Sequence, residues 1–289
     1  MKILITGADG MLGHDIQRAG ARAELELLAT DVAGLDICDP QGIAGALERA
    51  RPDAIVNCAA WTDVDGAETN AAAAHAVNAD GAGNLARAAA AQEIPLVHVS
   101  TDYVFDGSAP RDAGGGPRPY VESDPTNPKS VYGKSKLAGE QQVLAASPRH
   151  LVVRSAWLFG VGGRNFVDTM LRLADERQAV QVVDDQTGCP TWTGHLAPAL
   201  LGMLEREVRG LVHLAGGGAV SWNGFAREIF RQAERPCRVE PATTAQMARP
   251  APRPAWSVLA SERDDVLAMP DWREGLAGYL AARAGMIRP

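Results

Sequence analysis

Two side chains on one predicted helix have the chemistry to transfer a proton. Tyr132 and Lys136 stand four residues apart, a spacing that places both on the same helix face. A phenol has a pKa near about 10 and is a weak acid at neutral pH, but a neighbouring ammonium group lowers that pKa. The pair is therefore suited to donate a proton to the alkoxide that forms when a carbonyl group is reduced. In isolation, the same spacing is also that of an ordinary surface pair.

A hydroxyl and a carboxylate follow the fourth apolar run of the chain. Thr101 and Asp102 come directly after residues 95–100, which predict a buried strand. Ligands of open α/β sheets bind at the carboxyl ends of the strands. We expect the Thr101 hydroxyl to hydrogen-bond a substrate carbonyl there. His98, inside the same strand, is expected to be a core residue with satisfied hydrogen bonds.

Three glycines with regular spacing open the chain. Gly7, Gly10 and Gly13 follow an apolar run at residues 2–6 and precede a predicted helix near 11–20. Glycines in this position let the backbone turn sharply and approach a pyrophosphate, which the N-terminus of the helix attracts. The pattern therefore predicts a dinucleotide-binding turn, with an ordinary structural turn as the alternative.

A carboxylate stands where a dinucleotide-binding turn needs one. Asp31 ends the second predicted strand, 18 residues after Gly13, close to the spacing of the acid that binds an adenosine ribose. Because a carboxylate repels a 2′-phosphate, Asp31 favours NADH over NADPH, although either cofactor is kept as a prediction. Asp36 and Ile37 are predicted to flank the adenine.

Five apolar runs alternate with helical segments. Strands are predicted at residues 2–6, 26–31, 54–59, 95–100 and 151–154, and helices near 11–20, 41–50, 70–92 and 128–146. Continuous apolar strands separated by helices are typical of α/β proteins with a buried parallel sheet. We therefore predict a doubly wound, Rossmann-type parallel sheet.

The regular alternation weakens after residue 155. We predict a dinucleotide-binding domain at residues 1–155 and a smaller C-terminal substrate domain built mainly from residues 156–289, with a return to the first domain near 193–220 left open. Residues 107–119 are rich in Gly and Pro, and the segment is long enough for a functional loop or a mobile lid.

The composition excludes several classes of protein. The chain of 289 residues has 28 Lys and Arg against 35 Asp and Glu, a net charge of −7, whereas nucleic-acid binders need a basic surface. Its apolar runs are shorter than the roughly 18 residues of a membrane span, and the first run is too short for a signal peptide. The four cysteines are scattered, which is typical of reduced thiols in a cytoplasmic protein. We expect neither a nucleic-acid nor a membrane partner.

Longer motifs along nearly the whole chain resemble those of the extended short-chain dehydrogenase/reductases and, among them, the dTDP-4-dehydrorhamnose reductase family. The most specific segments are STDYVFDG at residues 100–107 and DDQTGCPT at residues 184–191. The resemblance also rests on ITGADGMLG at 5–13, VNCAAWTDVDGAE at 56–68, VN at 77–78, YGKSKLAGE at 132–140, RSAWLFG at 154–160 and NF at 165–166.

The resemblance implies an NAD(P)H-dependent reduction of the 4-keto group of dTDP-4-dehydro-6-deoxy-L-mannose to dTDP-L-rhamnose, in dTDP-rhamnose biosynthesis. Tyr132 would donate the proton, Lys136 would lower the pKa of Tyr132 and bind the cofactor ribose, and Thr101 would polarise the carbonyl. The implied cofactor contacts also include Met11 and Leu12 beside the glycines, and Ala59, Ala60, Trp61 and Thr62 after the third strand. The implied substrate contacts are Thr101, Asp102, Trp157 against the sugar, Asn165, and Arg253 on the diphosphate.

The chain departs from the family pattern in two places. Trp256 stands where the segment around Arg253 usually has asparagine. Some relatives form a magnesium-bridged dimer through three glutamates, but here the first position is similar to Asp15 and the second to Gly194, with no third. We therefore predict no bound metal and a monomer or weak homodimer. Trp192, Trp222 and Trp272 are expected to be packing residues.

Two other functions stay open. A nucleotide-sugar epimerase or dehydratase shares the glycine turn and the Tyr-Lys pair; co-purifying NAD would favour an epimerase, and the single carboxylate beside Thr101 counts against a dehydratase. A non-catalytic, reductase-like regulatory subunit, such as that of methionine adenosyltransferase, would co-purify with a synthetase and oxidise no NADH.

Overall fold

The apolar runs of the sequence form buried strands in the computed structural model, which describes residues 1–287. The strands are β1 (Lys2–Thr6), β2 (Glu26–Thr30), β3 (Ala54–Asn57), β4 (Leu96–Thr101), β5 (Leu151–Ser155), β6 (Leu158–Phe159), β7 (Ala179–Val183), β8 (Thr187–Gly188), β9 (Thr191–Trp192), β10 (Gly210–His213), β11 (Val220–Ser221) and β12 (Arg238–Ala242). The helices are α1 (Met11–Arg22), α2 (Pro40–Ala50), α3 (Val64–Thr69), α4 (Ala71–His75), α5 (Ala82–Ala91), α6 (Val131–Ala146), α7 (Phe166–Glu176), α8 (Thr193–Glu205), α9 (Trp222–Gln232), α10 (Thr244–Met247) and α11 (Trp272–Ile287).

Six of these strands form one parallel sheet in the order β2-β1-β3-β4-β5-β10. One apolar core lies between the sheet and helices α1 and α8, and a second lies on the other face under α2, α5 and α6. Helices on both faces of a parallel sheet define a doubly wound α/β fold, so the predicted fold class is confirmed.

The chain leaves this sheet after β5 and later returns to it. Helix α8 packs against α1, and β10 pairs with β5 at the sheet edge. Between and after these elements lies a second lobe, in which β7 pairs with β12 and helices α7, α9 and α11 share an aromatic-rich core. No helix among residues 1–287 is long and apolar enough to span a membrane.

The helix predicted over residues 70–92 is interrupted. Its Ala-rich sequence favours α-helix, yet residues Ala76–Gly81 form a wider π-helical turn between α4 and α5. Inside this turn the buried amide of Asn78 bonds both backbone groups of Trp61 and the hydroxyl of Ser135. Because π-turns reposition a side chain at the expense of helix regularity, we attribute the interruption to these long-range bonds, which no local pattern reveals.

Hydrogen bonds from Trp256 hold the Gly/Pro segment 107–119 against the rest of the protein. Trp256 donates from its backbone N–H to the Gly107 carbonyl at 3.1 Å and from its indole N–H to the Arg118 carbonyl at 3.0 Å. Arg118 in turn makes a bidentate ion pair with Asp124, with both distances 2.6 Å. Trp256 therefore anchors this segment at both ends, once through its backbone and once through its indole ring.

Candidate active site

Helix α6 carries the predicted proton-transfer pair to the carboxyl end of the sheet. The helix begins after Ser130, whose hydroxyl accepts the Gly133 N–H at 3.0 Å. A side chain at Gly133 would collide with the backbone of Tyr103, so the glycine permits the close approach of α6 to the loop after β4. This contact sets Tyr132 and Lys136 beside the end of β4.

Thr101 and Asp102 form a fixed polar pair next to Tyr132. The Thr101 hydroxyl donates to Asp102 Oδ1 at 2.9 Å and accepts the Tyr103 N–H at 3.2 Å. Burial raises the pKa of the Asp102 carboxyl to about 6. In this arrangement the Thr101 proton is directed at Asp102, so the predicted hydrogen bond from Thr101 to a substrate carbonyl requires the hydroxyl to rotate away from Asp102.

The Tyr132 phenol stays protonated at neutral pH. Burial raises the pKa of this phenol to about 12, while its interaction with the Thr101 side chain acts in the opposite direction. The ring of Tyr103 lies edge-on to that of Tyr132, with centroids 5.4 Å apart. A phenol that keeps its proton in the resting site is suited to the role of proton donor.

Lys136 is buried and turned towards the sheet. Its ammonium donates to the Val99 carbonyl at 2.7 Å, and burial lowers the pKa of the amine to about 8. Desolvation dominates the pKa of Tyr132, so the lowering of that pKa by Lys136 stays a prediction.

The glycine turn forms one wall of a cavity of about 360 Å³. Gly7 has a φ of +66°, and a Cβ there would clash with the backbone of Ala59. Helix α1 starts at Gly10 without a side-chain cap, which leaves its first amide groups to an anion. The cavity is lined by Gly7, Gly10, Met11, Leu12, Gly13, Cys58, Ala60, Thr62, Val99, Ser100, Tyr132, Lys136, Leu158, Gly163 and Arg164. These residues fit a dinucleotide pyrophosphate and nicotinamide ribose.

The adenosine end of this site carries two carboxylates. Asp31 accepts the N–H groups of Ala33 and Gly34 at 3.0 and 3.1 Å, and these bonds lower the pKa of its carboxyl. Asp9, in the glycine turn, lies next to Asp31, and this contact raises the pKa of Asp9. Sequence reasoning identified Asp31 but missed Asp9, which the backbone bond from Ala8 to the end of β2 brings alongside.

Asp36 and Ile37, the two other residues predicted to contact the adenine, both contact neighbouring residues of the protein. Asp36 accepts the Cys38 N–H at 2.8 Å, and the Ile37 side chain is buried against Gly81. Their contact with an adenine stays a prediction. Of the segment after β3, Ala60 and Thr62 line the cavity, whereas Trp61 is held by Asn78.

A second cavity, of about 430 Å³, lies on the other side of the Tyr103–Tyr132 ring pair. Its walls are mainly aromatic and apolar, with two arginines at the edge. They comprise Tyr103, Phe166, Thr169, Met170, Leu173, Gln181, Val182, Val183, Gln186, Trp222, Thr244, Met247, Arg249 and Arg253. This cavity has the size and the mixture of flat rings and positive charge that suit a nucleotide.

One aromatic residue of this wall packs as predicted and also lines the cavity. Trp222, predicted as a packing residue, lines the second cavity and stacks on Trp157 at 3.5 Å between ring centroids, 4° from parallel. Trp157 has a φ of +48°, uncommon for a residue with a side chain. The Trp157 ring that is predicted to contact a sugar is therefore already stacked on Trp222.

Arg253 forms an ion pair with Asp65 of α3. Its guanidinium makes two bonds to the carboxylate of Asp65, at 2.7 and 2.8 Å, and Arg249 lies 3.4 Å from the same group. The Arg253 side chain lowers the pKa of Asp65 to about 2. Asp65 lies on α3, 188 residues away in sequence, so sequence reasoning identified Arg253 without its partner.

Two other residues discussed from the sequence serve within the fold. Asn165 caps α7 by accepting the Asp168 N–H at 2.9 Å, and its amide donates to the Gly160 carbonyl and Tyr279 hydroxyl. Both ends of its side chain are engaged within the fold and it does not line the second cavity, so its contact with a substrate stays a prediction. Asp15 is buried and accepts the Thr193 hydroxyl at 2.5 Å, which ties α1 to α8.

The doubly wound sheet, the uncapped glycine turn and the Thr-Tyr-Lys group between two cavities define the class of short-chain dehydrogenase/reductases. Residues 1–284 match the family model described as RmlD substrate binding domain, and the chain belongs to this family. It is 48% identical over 290 residues to dTDP-4-dehydrorhamnose reductase of Mycobacterium tuberculosis, a match covering 98% of this chain and 93% of that protein. The resemblance inferred from the sequence is thus confirmed.

Solved structures agree with this membership. A dTDP-4-dehydrorhamnose reductase from Clostridium acetobutylicum is 40% identical, with a TM-score of 0.93 over 98% of this chain and 100% of that one. The Bacillus anthracis enzyme, solved in complex with NADP, is 36% identical with a TM-score of 0.92, covering 97% and 99% of the two chains. A Thermus thermophilus UDP-glucose 4-epimerase, 22% identical with a TM-score of 0.78 over 99% and 100%, shares the fold.

Proposed function

We propose that this protein is an NAD(P)H-dependent oxidoreductase that reduces the 4-keto group of dTDP-4-dehydro-6-deoxy-L-mannose to give dTDP-L-rhamnose. The observation that carries the proposal is that Tyr132, beside Thr101, lines the cavity at the glycine turn, while Tyr103, whose ring contacts that of Tyr132, lines the nucleotide-sized second cavity. Relatives named dTDP-4-dehydrorhamnose reductase, which match almost the whole chain, support the same reaction.

The chain's residues orient the carbonyl and deliver its proton. A bound nicotinamide cofactor supplies the hydride. Tyr132 gives its phenol proton to the carbonyl oxygen, and the neighbouring Thr101 hydroxyl, rotated away from Asp102, hydrogen-bonds the same oxygen and polarises the carbonyl. The negative charge left on Tyr132 lies one helical turn from Lys136, whose ammonium stabilises it. Aromatic walls of the second cavity exclude water from the sugar and base, and Arg253, held by Asp65, places positive charge in that cavity for the diphosphate.

The decisive experiment follows the absorbance of the reduced cofactor at 340 nm with freshly generated dTDP-4-dehydro-6-deoxy-L-mannose. We expect oxidation of NADH or NADPH with formation of dTDP-L-rhamnose, at the same rate with and without EDTA. Tightly bound NAD with interconversion of sugar epimers would instead indicate an epimerase. Failure to oxidise either cofactor, with stable binding of a synthetase, would indicate a regulatory subunit.

Arg253 is predicted to bind the substrate diphosphate. Arg253→Ala should raise the KM for the nucleotide sugar about 10- to 100-fold, since a charged hydrogen bond contributes roughly 1.5–3 kcal/mol. The KM for NADH should stay unchanged because Arg253 does not line the cofactor cavity. Arg249→Ala is the matched control: the Arg249 side chain is 55% exposed, and a smaller effect is expected. An unchanged sugar KM in Arg253→Ala would contradict the assignment.

Asp9 and Asp31 are predicted to disfavour a cofactor with a 2′-phosphate. Replacing both with asparagine should raise the ratio of kcat/KM for NADPH to kcat/KM for NADH by about ten-fold or more, because like charges brought together cost several kcal/mol. The control is Asp175→Asn, which removes one exposed carboxylate on α7, far from the site. A ratio that the double replacement leaves unchanged would exclude this role.

A further inference from the structure

Three polar side chains lie side by side across neighbouring strands at the bottom of the cofactor site. The sheet register pairs Thr6 of β1 with Asn57 of β3, and Asn57 with His98 of β4. All three are at most 1% exposed. Central strands of parallel sheets are usually apolar, and buried polar groups are costly unless their bonds are made. A row of three that ends at the active-site lysine therefore calls for a functional explanation.

The orientation of the Asn57 amide is fixed by its neighbours. Its Oδ1 atom accepts the backbone N–H of Ala59 at 3.0 Å and the hydroxyl of Thr6 at 2.7 Å. A backbone N–H can only donate, so this atom must be the oxygen. The other end of the amide, Nδ2, is then a donor, and it faces Nδ1 of His98 at 3.0 Å.

The Asn57 donor decides the tautomer of His98. Burial lowers the pKa of His98 well below its usual range, so the imidazole is neutral. Because Nδ1 accepts a hydrogen bond from Asn57, the single ring proton is on Nε2. That nitrogen lies 3.5 Å from Nζ of Lys136. His98 thus points an N–H group at the lysine.

An N–H group facing Lys136 distinguishes between its two protonation states. A neutral amine accepts a bond from Nε2–H with its lone pair, whereas an ammonium has no lone pair and is repelled. We propose that His98 is a positioning residue that favours the neutral amine of Lys136 over its ammonium, so that Lys136 releases its third proton to solvent more readily. The proposal rests on the proposed function only in taking Lys136 as part of the active site.

The other groups around Lys136 do not produce this effect. Glu140, on the same helix, and Cys58, after β3, both act to raise the pKa of Lys136. The Val99 carbonyl accepts from either protonation state, and Tyr132 lies one turn away on the same helix. Burial lowers the pKa of Lys136, and the proposed Nε2–H group of His98, 3.5 Å from Nζ, acts in the same direction.

The test is a direct titration of the lysines, which needs no enzyme activity. The chain has four lysines, Lys2, Lys129, Lys134 and Lys136, so NMR of protein labelled with ¹³C-lysine gives few signals. Lys136→Met identifies the signal of Lys136 by its loss. We expect that signal to titrate near pH 8.

Two variants alter the histidine in different ways. His98→Asn keeps an acceptor for Asn57 and removes the Nε2–H group, so the Lys136 midpoint should rise by about one pH unit. Asn57→Asp retains the bonds to Ala59 and Thr6 but accepts from Nδ1, which moves the ring proton away from Nε2 and gives Lys136 an acceptor. In a protein that keeps His98, Asn57→Asp should raise the Lys136 midpoint by a certain amount. In a protein that also carries His98→Asn, the same replacement should raise it by less.

A matched control separates this effect from general damage to the core. His150 is also fully buried. It lies immediately before β5, where it accepts the Leu96 N–H and bonds the Ala86 carbonyl. His150→Asn should leave the Lys136 midpoint unchanged. A Lys136 midpoint that stays at its wild-type value in both His98→Asn and Asn57→Asp would overturn the proposal. If the wild-type protein shows no reductase activity, the proposed function is refuted, but the result of this titration is unaffected.

Discussion

Tyr132→Phe is expected to lower kcat by about 10³-fold, within the range that general acid catalysis contributes. The phenol is the group next to Thr101 that faces the cofactor cavity and keeps its proton at neutral pH. Phenylalanine fills the same space without a proton to give. Affinity for NADH, measured by fluorescence titration, should change little because the turn at Gly7–Gly13 and the Lys136 amine remain.

The control for this result is Tyr120→Phe. Tyr120 is a buried tyrosine near the site whose hydroxyl donates to the Ser108 carbonyl at 2.6 Å, so its phenol has a structural use. Its removal should reduce stability slightly and leave kcat within about three-fold of wild type, since a neutral hydrogen bond contributes only about 1 kcal/mol. Near-normal turnover by Tyr132→Phe would show that another group delivers the proton.

The second large effect concerns stability. Glu140→Gln should lower the free energy of unfolding by about 3–5 kcal/mol, because it leaves a buried arginine without its counter-charge. The Arg154 fork bonds Glu140 at 2.9 and 2.7 Å, and Ser100 donates to the same carboxylate at 2.5 Å. The two charged side chains are 4% and 2% exposed. Urea denaturation followed by circular dichroism measures the loss.

The same chain offers an exposed pair for comparison. Arg172 and Glu176 on α7 are 2.9 Å apart, with side chains 61% and 50% exposed, so Glu176→Gln should cost less than about 1 kcal/mol. Replacing both buried partners with apolar residues, Glu140→Leu with Arg154→Met, should recover much of the loss because no charge is then left unpaired. Equal effects at the buried and exposed pairs would contradict this account.

Local signals were enough to predict much of the site. The glycine turn, the strand-end position of Thr101 and the spacing of Tyr132 and Lys136 each depend on a few adjacent residues. In the structure the glycine turn, Tyr132 and Lys136 line one cavity, and Thr101 lies beside Tyr132. The strands of the sheet were predictable for the same reason, since buried parallel strands are continuous apolar runs.

Contacts between distant segments could not be predicted in this way. The pairing of Asp65 with Arg253 and the stacking of Trp157 on Trp222 depend on how the second lobe folds over the first. His98 was predicted to be an ordinary core residue. Its contact with Lys136 becomes visible only when the strand register and the position of α6 are known.

The late return of the chain to its sheet has a consequence for synthesis on the ribosome. Residues 1–155 contain five of the six strands, but β10 and the α8 cover are made some 50 residues later. Until those elements are made, β5 is paired only with β4 and is an open edge of the sheet. One face of the sheet then exposes apolar side chains to other nascent chains. A polypeptide released at residue 155 should therefore aggregate or require a chaperone. Pulse proteolysis of stalled chains should show protection of the nucleotide-binding half only after residue 213 has emerged.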